Sequence, residues 1–208
     1  MTDNTRQLLM DAALRVFAEH GFRGATTRRI AEAANVNEVT LFRLFKSKET
    51  LISEAIHAHA AAMDEANPLP DDVGDPGPQL LAWATREYHG MRQSRAMIRK
   101  VFAEMEEHPQ FTERVCTGPN HSHAQLLRYV TVMASQGLIP EPGDDAAVAA
   151  TMLMSSLFAD AMSRDAMPHM FPQPADEAPA HYVRVFLRAL GAPLAHDALR
   201  ASAPEALA

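Results

Sequence analysis

Thr26-Thr27-Arg28-Arg29-Ile30-Ala31-Glu32-Ala33-Ala34-Asn35-Val36-Asn37-Glu38-Val39-Thr40-Leu41-Phe42 is the stretch whose reading decides the fold. Thr26 is placed to cap a short helix whose inward face is Ile30, Ala31 and Ala34. Small alanines on that face let a second helix cross closely. Asn35 falls at a turn where the backbone needs φ > 0, and Asn tolerates that conformation better than any other non-glycine residue. Val36 plugs the core and Asn37 caps the next helix. On that second helix Leu41 and then Phe45 point inward, while Glu38, Val39, Phe42 and Arg43 point mostly outward. Two short helices joined in this way follow the grammar of a helix-turn-helix.

Working outward, a first helix is predicted from about Asn4 to His20. Its apolar stripe is Leu9, Ala13, Val16 and Phe17. Gly21 stands where a helix takes a left-handed C-terminal cap, and Phe22 can then fold back onto the stripe. After the motif, Ser47 restarts a longer helix with Lys48 and Glu49 in its first turn. Proline maps the remainder, since all 14 prolines lie at or beyond Pro68. The run from Asn67 to Pro78 reads as a loop or linker. Helical stretches follow at about 79–108, 120–138, 143–166 and 177–191, the first of them dividing near Gly90 or Ser94. No alternating strand pattern and no repeat is visible. The expectation is an all-α chain of about nine helices. Residues 1–50 would form a helix-turn-helix domain, 51–192 a larger helical domain, and 193–208 a frayed tail.

The 47% hydrophobic content is that of a globular chain. No apolar run approaches the roughly 20 residues of a membrane helix, so no membrane partner is expected. The start Met1-Thr-Asp-Asn-Thr-Arg6 lacks the pattern of a signal peptide. The single cysteine, Cys116, excludes an intramolecular disulfide. These features place the protein in the cytoplasm. Net charge is −7, yet residues 1–50 carry eight Arg or Lys against six acids, leaving the rest at −9. A mildly basic head on an acidic body is the pattern of a local DNA contact.

The stretch from about Arg6 to Leu51 resembles the DNA-binding domain of TetR-family transcriptional regulators. The matching string is Ala-Ala…Phe…Gly-Phe, then Thr-Thr-x-x-Ile-Ala, a Val at the turn, and Thr-Leu-Phe-x-x-Phe-Lys-Ser-Lys-Glu-x-Leu. It is gap-free over roughly a quarter of the chain. The remaining three quarters match in length and helical character only, and in that family this region varies and binds the effector. The chain departs from the family pattern in two places. Asn35 replaces the usual glycine, and Phe42 replaces the usual tyrosine, keeping the ring and losing a phosphate donor.

The resemblance implies phosphate contacts by Thr27, Arg43 and Lys48. Lys46 reads equally as a contact or as a solvated side chain. Base reading falls to Arg28, Asn37, Glu38, Val39 and Thr40, beside the ring of Phe42. Arg28 suits guanine O6 and N7, Glu38 a cytosine amino group, and Val39 a thymine methyl. The plainer alternatives are a helix-favouring Glu38 and solvated Arg28 and Arg43. One motif spans few base pairs, so a homodimer on a palindromic double-stranded operator is expected.

Ten of the 12 methionines lie beyond residue 50, and methionine lines adaptable apolar pockets. With the resemblance, Trp83, Tyr88, Met91 and Phe102 would line a pocket with Met105, Tyr129 and Met133. Its small-molecule effector would be apolar or amphipathic. Each of these residues is also an ordinary core residue. The resemblance further implies a four-helix dimer interface from the last two helices, through Met152, Ser155, Ser156 and Ala159 on one and Tyr182, Val183 and Phe186 on the other. Ordinary packing within one chain is the alternative. His121 and His123, with His108 and His89, lack metal-ligand spacing, and no metal or cofactor is expected. Cys116 near Arg114 reads as an inert thiol before a redox sensor. No Gly-rich phosphate loop or nucleophile elbow appears, so the chain is not read as an enzyme. The expected function is a ligand-released repressor, with coupling through the helix after Ser47. The alternatives are a regulator controlled by a protein partner or without ligand, and, remotely, an α-helical enzyme.

Overall fold

The computed structural model describes residues 2–65, 68–107, 121–141, 143 and 145–192. Among them are eight α-helices and no strand. They are α1 (Thr2–Gly24), α2 (Thr27–Ala33), α3 (Glu38–Phe45), α4 (Lys48–Glu65), α5 (Pro76–Glu107), α6 (His121–Ser135), α7 (Asp145–Ser163) and α8 (Ala178–Ala189), with a short 3-10 turn at Pro168–Met170. The all-α expectation holds. His108, Cys116 and the tail from 193 lie outside the described residues.

The contacts divide the chain into two compact units. The first takes residues up to Met63 and the part of α5 from Ser94 onward. Its core forms because apolar residues recur at helical spacing on four helices. Leu9, Ala13 and Phe17 of α1 meet Ile30 of α2, Leu41 and Phe45 of α3, and Leu51 and Ile52 of α4, all at most 1% exposed. Val101 and Met105 of α5 pack on the same cluster.

Gly21 interrupts α1 with φ 70 and ψ −178. That is the region which glycine enters without steric cost. The break frees two backbone groups, and α5 takes both. Lys100 Nζ donates to the Ala18 carbonyl at 2.8 Å, and the Phe22 N–H donates to Glu104 Oε1 at 2.7 Å. A Cβ on Gly21 would stand 2.8 Å from that Glu104 oxygen. Gly21→Ala should therefore destabilise the protein by about 1–3 kcal/mol. A thermal melt reads this as a fall of several degrees, and an unchanged melting point would contradict the account.

The second unit holds 64–93 and the chain from 120 on. Asp75 Oδ1 accepts from the Gly77 N–H at 3.2 Å, and Pro76 opens α5 where its missing N–H costs nothing. The core joins Leu80, Trp83 and Tyr88 of α5, Leu126, Val130 and Met133 of α6, Leu153 and Leu157 of α7, and Val183 and Leu187 of α8. Helix α7 packs against both α6 and α8.

The expected break near Gly90 or Ser94 does not occur. Helix α5 runs unbroken for 32 residues. Gly90 costs only about 1 kcal/mol relative to alanine. Apolar residues at helical spacing before and after it, Leu80, Ala84 and Tyr88, then Val101, are buried and hold the helix.

Candidate nucleic-acid interface

Three side-chain caps frame the motif. Thr26 Oγ1 accepts from the Arg29 N–H at 3.2 Å and starts α2. Asn37 Oδ1 accepts from the Val39 N–H at 2.8 Å and starts α3. Ser47 Oγ accepts from the Thr50 N–H at 3.2 Å ahead of α4. Asn35 takes φ 53 at the turn, as its sequence position predicts. The Val36 N–H then closes onto the Ala31 carbonyl at 2.9 Å.

Helix α3 is thereby held with Leu41 and Phe45 inward, at 0% and 1% exposure. The opposite face carries Val39, 73% exposed, and Phe42, 48% exposed. Arg43 is exposed beside them and Thr40 is half-buried. Large apolar side chains stand in water here only because the inward face already fills the core.

Not every cation on this surface is free to contact a ligand. The Arg28 Nε donates to Glu32 Oε1 at 2.9 Å. That hydrogen bond, and the negative charge of Glu32 and then Glu38, raise the guanidinium pKa above its usual value. Arg29 donates to the Gly24 carbonyl at 2.7 Å. Lys48 Nζ donates to the Phe22 carbonyl at 2.8 Å and stands 4.3 Å over the Phe22 ring. The phosphate role expected of Lys48 thus meets a competing internal use, the C-terminal end of α1. Arg43 and Lys46 are exposed and, among the described residues, make no internal ion pair.

Sequence reasoning missed the backbone of Lys46, which ends α3 at φ 64. No glycine or asparagine marks the position. It also missed Arg6, which lies 4.3 Å over the Phe45 ring and pairs with Glu54, tying α1 to the end of α3 and to α4.

Among the described residues, the expected pocket residues divide between the core and the surface. Trp83, Tyr88 and Met133 are 0% exposed and belong to the packed core. Tyr129 borders a small open cavity of about 210 Å³ with Leu69, Gln125 and Arg128. Its hydroxyl donates to Gln79 Oε1 at 2.6 Å. Met91 is half-buried. Phe102 and Met105 fall in the first unit, because α5 does not break: Phe102 is 54% exposed and Met105 packs on the α1 core.

Instead, an apolar groove of about 300 Å³ opens between α7 and α8. It is lined by Met152, Leu153, Ser156, Tyr182, Val185 and Phe186 with flanking alanines. Met152 and Val185 are 63% and 59% exposed, and Ser155 and Ala159 are exposed on the same helix α7. Val183, expected at an interface, is 0% exposed and belongs to the chain's own core; Phe186, 4% exposed, forms the groove floor. Val183 and Phe186 share the inward face of α8, whereas Tyr182, Val185 and Ala189 turn toward the groove.

Beside the groove lies a buried charge cluster that sequence reasoning also missed. Asp160 is 0% exposed. It accepts from Tyr88 at 2.7 Å, Tyr182 at 2.6 Å, and Arg164 through both oxygens at 2.7 and 2.6 Å. Burial alone would push its carboxyl pKa up, but Arg164 and the two hydroxyls outweigh burial and hold it below the usual carboxylate value. Burial and the bond to Asp160 push both tyrosines up. Asp160 near the end of the largely apolar α7 and Arg164 just past its last residue, four positions apart, were the available signal.

Comparison with known proteins places these features. The model of bacterial regulatory proteins of the tetR family matches residues 9–55. The chain is 29% identical over 154 residues to an HTH-type transcriptional regulator, YvkB, of Bacillus subtilis, covering 74% of this chain and 79% of that protein. It is 42% identical over 62 residues to the HTH-type transcriptional repressor AcnR of Corynebacterium glutamicum, covering 30% of this chain and 33% of that one. Among solved structures, a TetR-family transcriptional regulator from Mesorhizobium loti superposes with a TM-score of 0.75 at 20% identity, covering 91% of this chain and 98% of that one.

Proposed function

We propose, for a chain that belongs to the TetR family of bacterial regulatory proteins, that it binds a palindromic operator as a homodimer and represses transcription until a small apolar or amphipathic effector releases it. The observation that carries this reading is α3. One face is locked in the core by Leu41 and Phe45, while Val39, Phe42 and Arg43 stand exposed on a helix capped at its start. A helix so held fits the major groove, where side chains near its N-terminus meet base edges. Arg43 and Lys46 supply charge for phosphates, Thr27 is assigned a phosphate contact, and Arg28, Asn37, Glu38, Val39 and Thr40 are assigned to the bases. Lys48, which holds the Phe22 carbonyl with one of its three N–H donors, is a further phosphate ligand.

The homodimer reading rests on α7. Its inner face buries Ala150, Leu153, Leu157 and Ala161, yet its outer face exposes Val148 and Met152. Contrary to the expectation that no apolar run approaches a membrane helix, this apolarity gives α7 the length and composition of a membrane span, which the core helix of a soluble protein also has. A helix apolar all round is one whose every side is covered. Here the inner side packs on α6 and α8. A second copy, laying its own α7 and α8 on the groove, would cover the rest.

Helix α5 contributes Trp83 and Tyr88 to the core of one unit, and Lys100 and Glu104 to the break in α1 of the other. A shift of this one helix on effector binding would be felt at the motif, alongside any shift of α4.

Selection of bound fragments from random duplex DNA, then sequencing, tests the function. A palindromic consensus is expected; absence of any enriched sequence would overturn the reading. Arg28→Ala should weaken the consensus by roughly tenfold to a hundredfold and relax one base position per half-site. Equal losses on consensus and random DNA would remove its base-reading role.

A further inference from the structure

Glu38 is the one acid on α3, the helix assigned above to the major groove, and it is not idle. Its Oε1 accepts the hydroxyl proton of Thr27 at 2.5 Å, joining the starts of α2 and α3. Both side chains are half-buried, so this carboxylate has a fixed position rather than a solvated sweep. Asn37, beside it, is spent on the helix cap.

An ionised carboxylate can only accept hydrogen bonds. Facing DNA it is repelled by phosphates at every site. In the major groove, guanine and thymine offer it only acceptors at their polar edge, and adenine sets its N6 amino donor beside the N7 acceptor, whereas cytosine presents the N4 amino donor with no acceptor beside it. Guanine or thymine therefore leaves a desolvated carboxylate without a donor, adenine sets a repelling N7 lone pair beside its donor, and specificity arises by penalty as much as by attraction.

We propose that Glu38 is a specificity-determining residue that exchanges partners on binding. In the free protein Thr27 holds it; on the operator it accepts from the amino group of one cytosine per half-site, and the freed Thr27 hydroxyl donates to a backbone phosphate. This rests on the operator reading above. The exchange keeps both groups bonded in both states, so base discrimination appears only where the amino donor is present.

The test uses the full-length protein and the selected consensus duplex. Each cytosine in a half-site is replaced in turn by its 2-pyrimidinone analogue, which lacks only the amino group. The wild-type protein should lose about tenfold affinity at one cytosine and little elsewhere. Glu38→Ala should bind that analogue and the parent duplex alike, and gain several-fold on random DNA. Glu38→Gln preserves shape and helix propensity, and renewed selection with it should shift that position from cytosine toward adenine. A consensus that the wild type binds equally well with every analogue would overturn the inference and leave the operator reading intact. No consensus at all would overturn the operator reading itself.

Discussion

Asp160→Ala is expected to destabilise the protein by about 3–5 kcal/mol, the cost of removing one partner from a buried ion pair. The side chain lies at 0% exposure, and Arg164 beside it is only 12% exposed. Deleting the carboxylate takes from the Arg164 guanidinium its ionic partner and leaves it neutral partners such as the Phe171 and Gln173 carbonyls. It also takes the acceptor from the hydroxyls of Tyr88 and Tyr182. Domains of this size retain about 5–15 kcal/mol in all, so the loss is a large fraction. Chemical denaturation of wild type and variant reads it directly, and a change under 1 kcal/mol would contradict the burial and bonding described. The same cluster sets a pH dependence. Its folded carboxyl pKa lies below the unfolded value near 4. Its contribution is therefore fully present above about pH 4 and is lost as the pH falls through the lower folded value. Asp160→Ala should flatten that acid limb.

Replacing Met152 and Val185 by glutamate should produce a folded monomer. Both side chains are more than half exposed, so the chain's own core does not need them. Paired across a two-fold axis, however, the variant would bury four unpartnered carboxylates in an apolar contact. Sedimentation should show half the wild-type mass with an unchanged helical spectrum. Affinity for a palindrome should fall on the order of a hundredfold or more, because two linked half-site contacts become one. A double variant that sediments like wild type would place the dimer contact elsewhere.

How much of this was legible in the sequence varies along the chain, for physical reasons. The motif was readable because its determinants are local. Thr26 and Asn37 cap the helices they precede, Asn35 supplies the positive φ, and Leu41 and Phe45 recur at helical spacing. In the second unit the determinants are distant in sequence. Tyr88 and Asp160 are 72 residues apart, so no window links them. Periodicity placed Tyr182, Val183 and Phe186 on an apolar stretch of α8 but not the side that faces its own core. Val183 turned inward and Val185 outward. Phe102 and Met105 fall in the other unit from Trp83 and Tyr88, because one unbroken helix carries all four and sequence alone does not show which part packs in which unit. Lys48 shows the converse limit. Its position in the motif is fixed by sequence, but its engagement with Phe22 depends on where α1 ends in space.

One dimer is expected to place two α3 helices on one face of a palindromic duplex. The most direct measurement is the affinity of the full-length protein for its selected palindrome, with and without five base pairs inserted at the centre. Half a helical turn rotates one half-site to the opposite face. The account predicts that affinity falls to that of a single half-site. Equal affinity for both duplexes would contradict it.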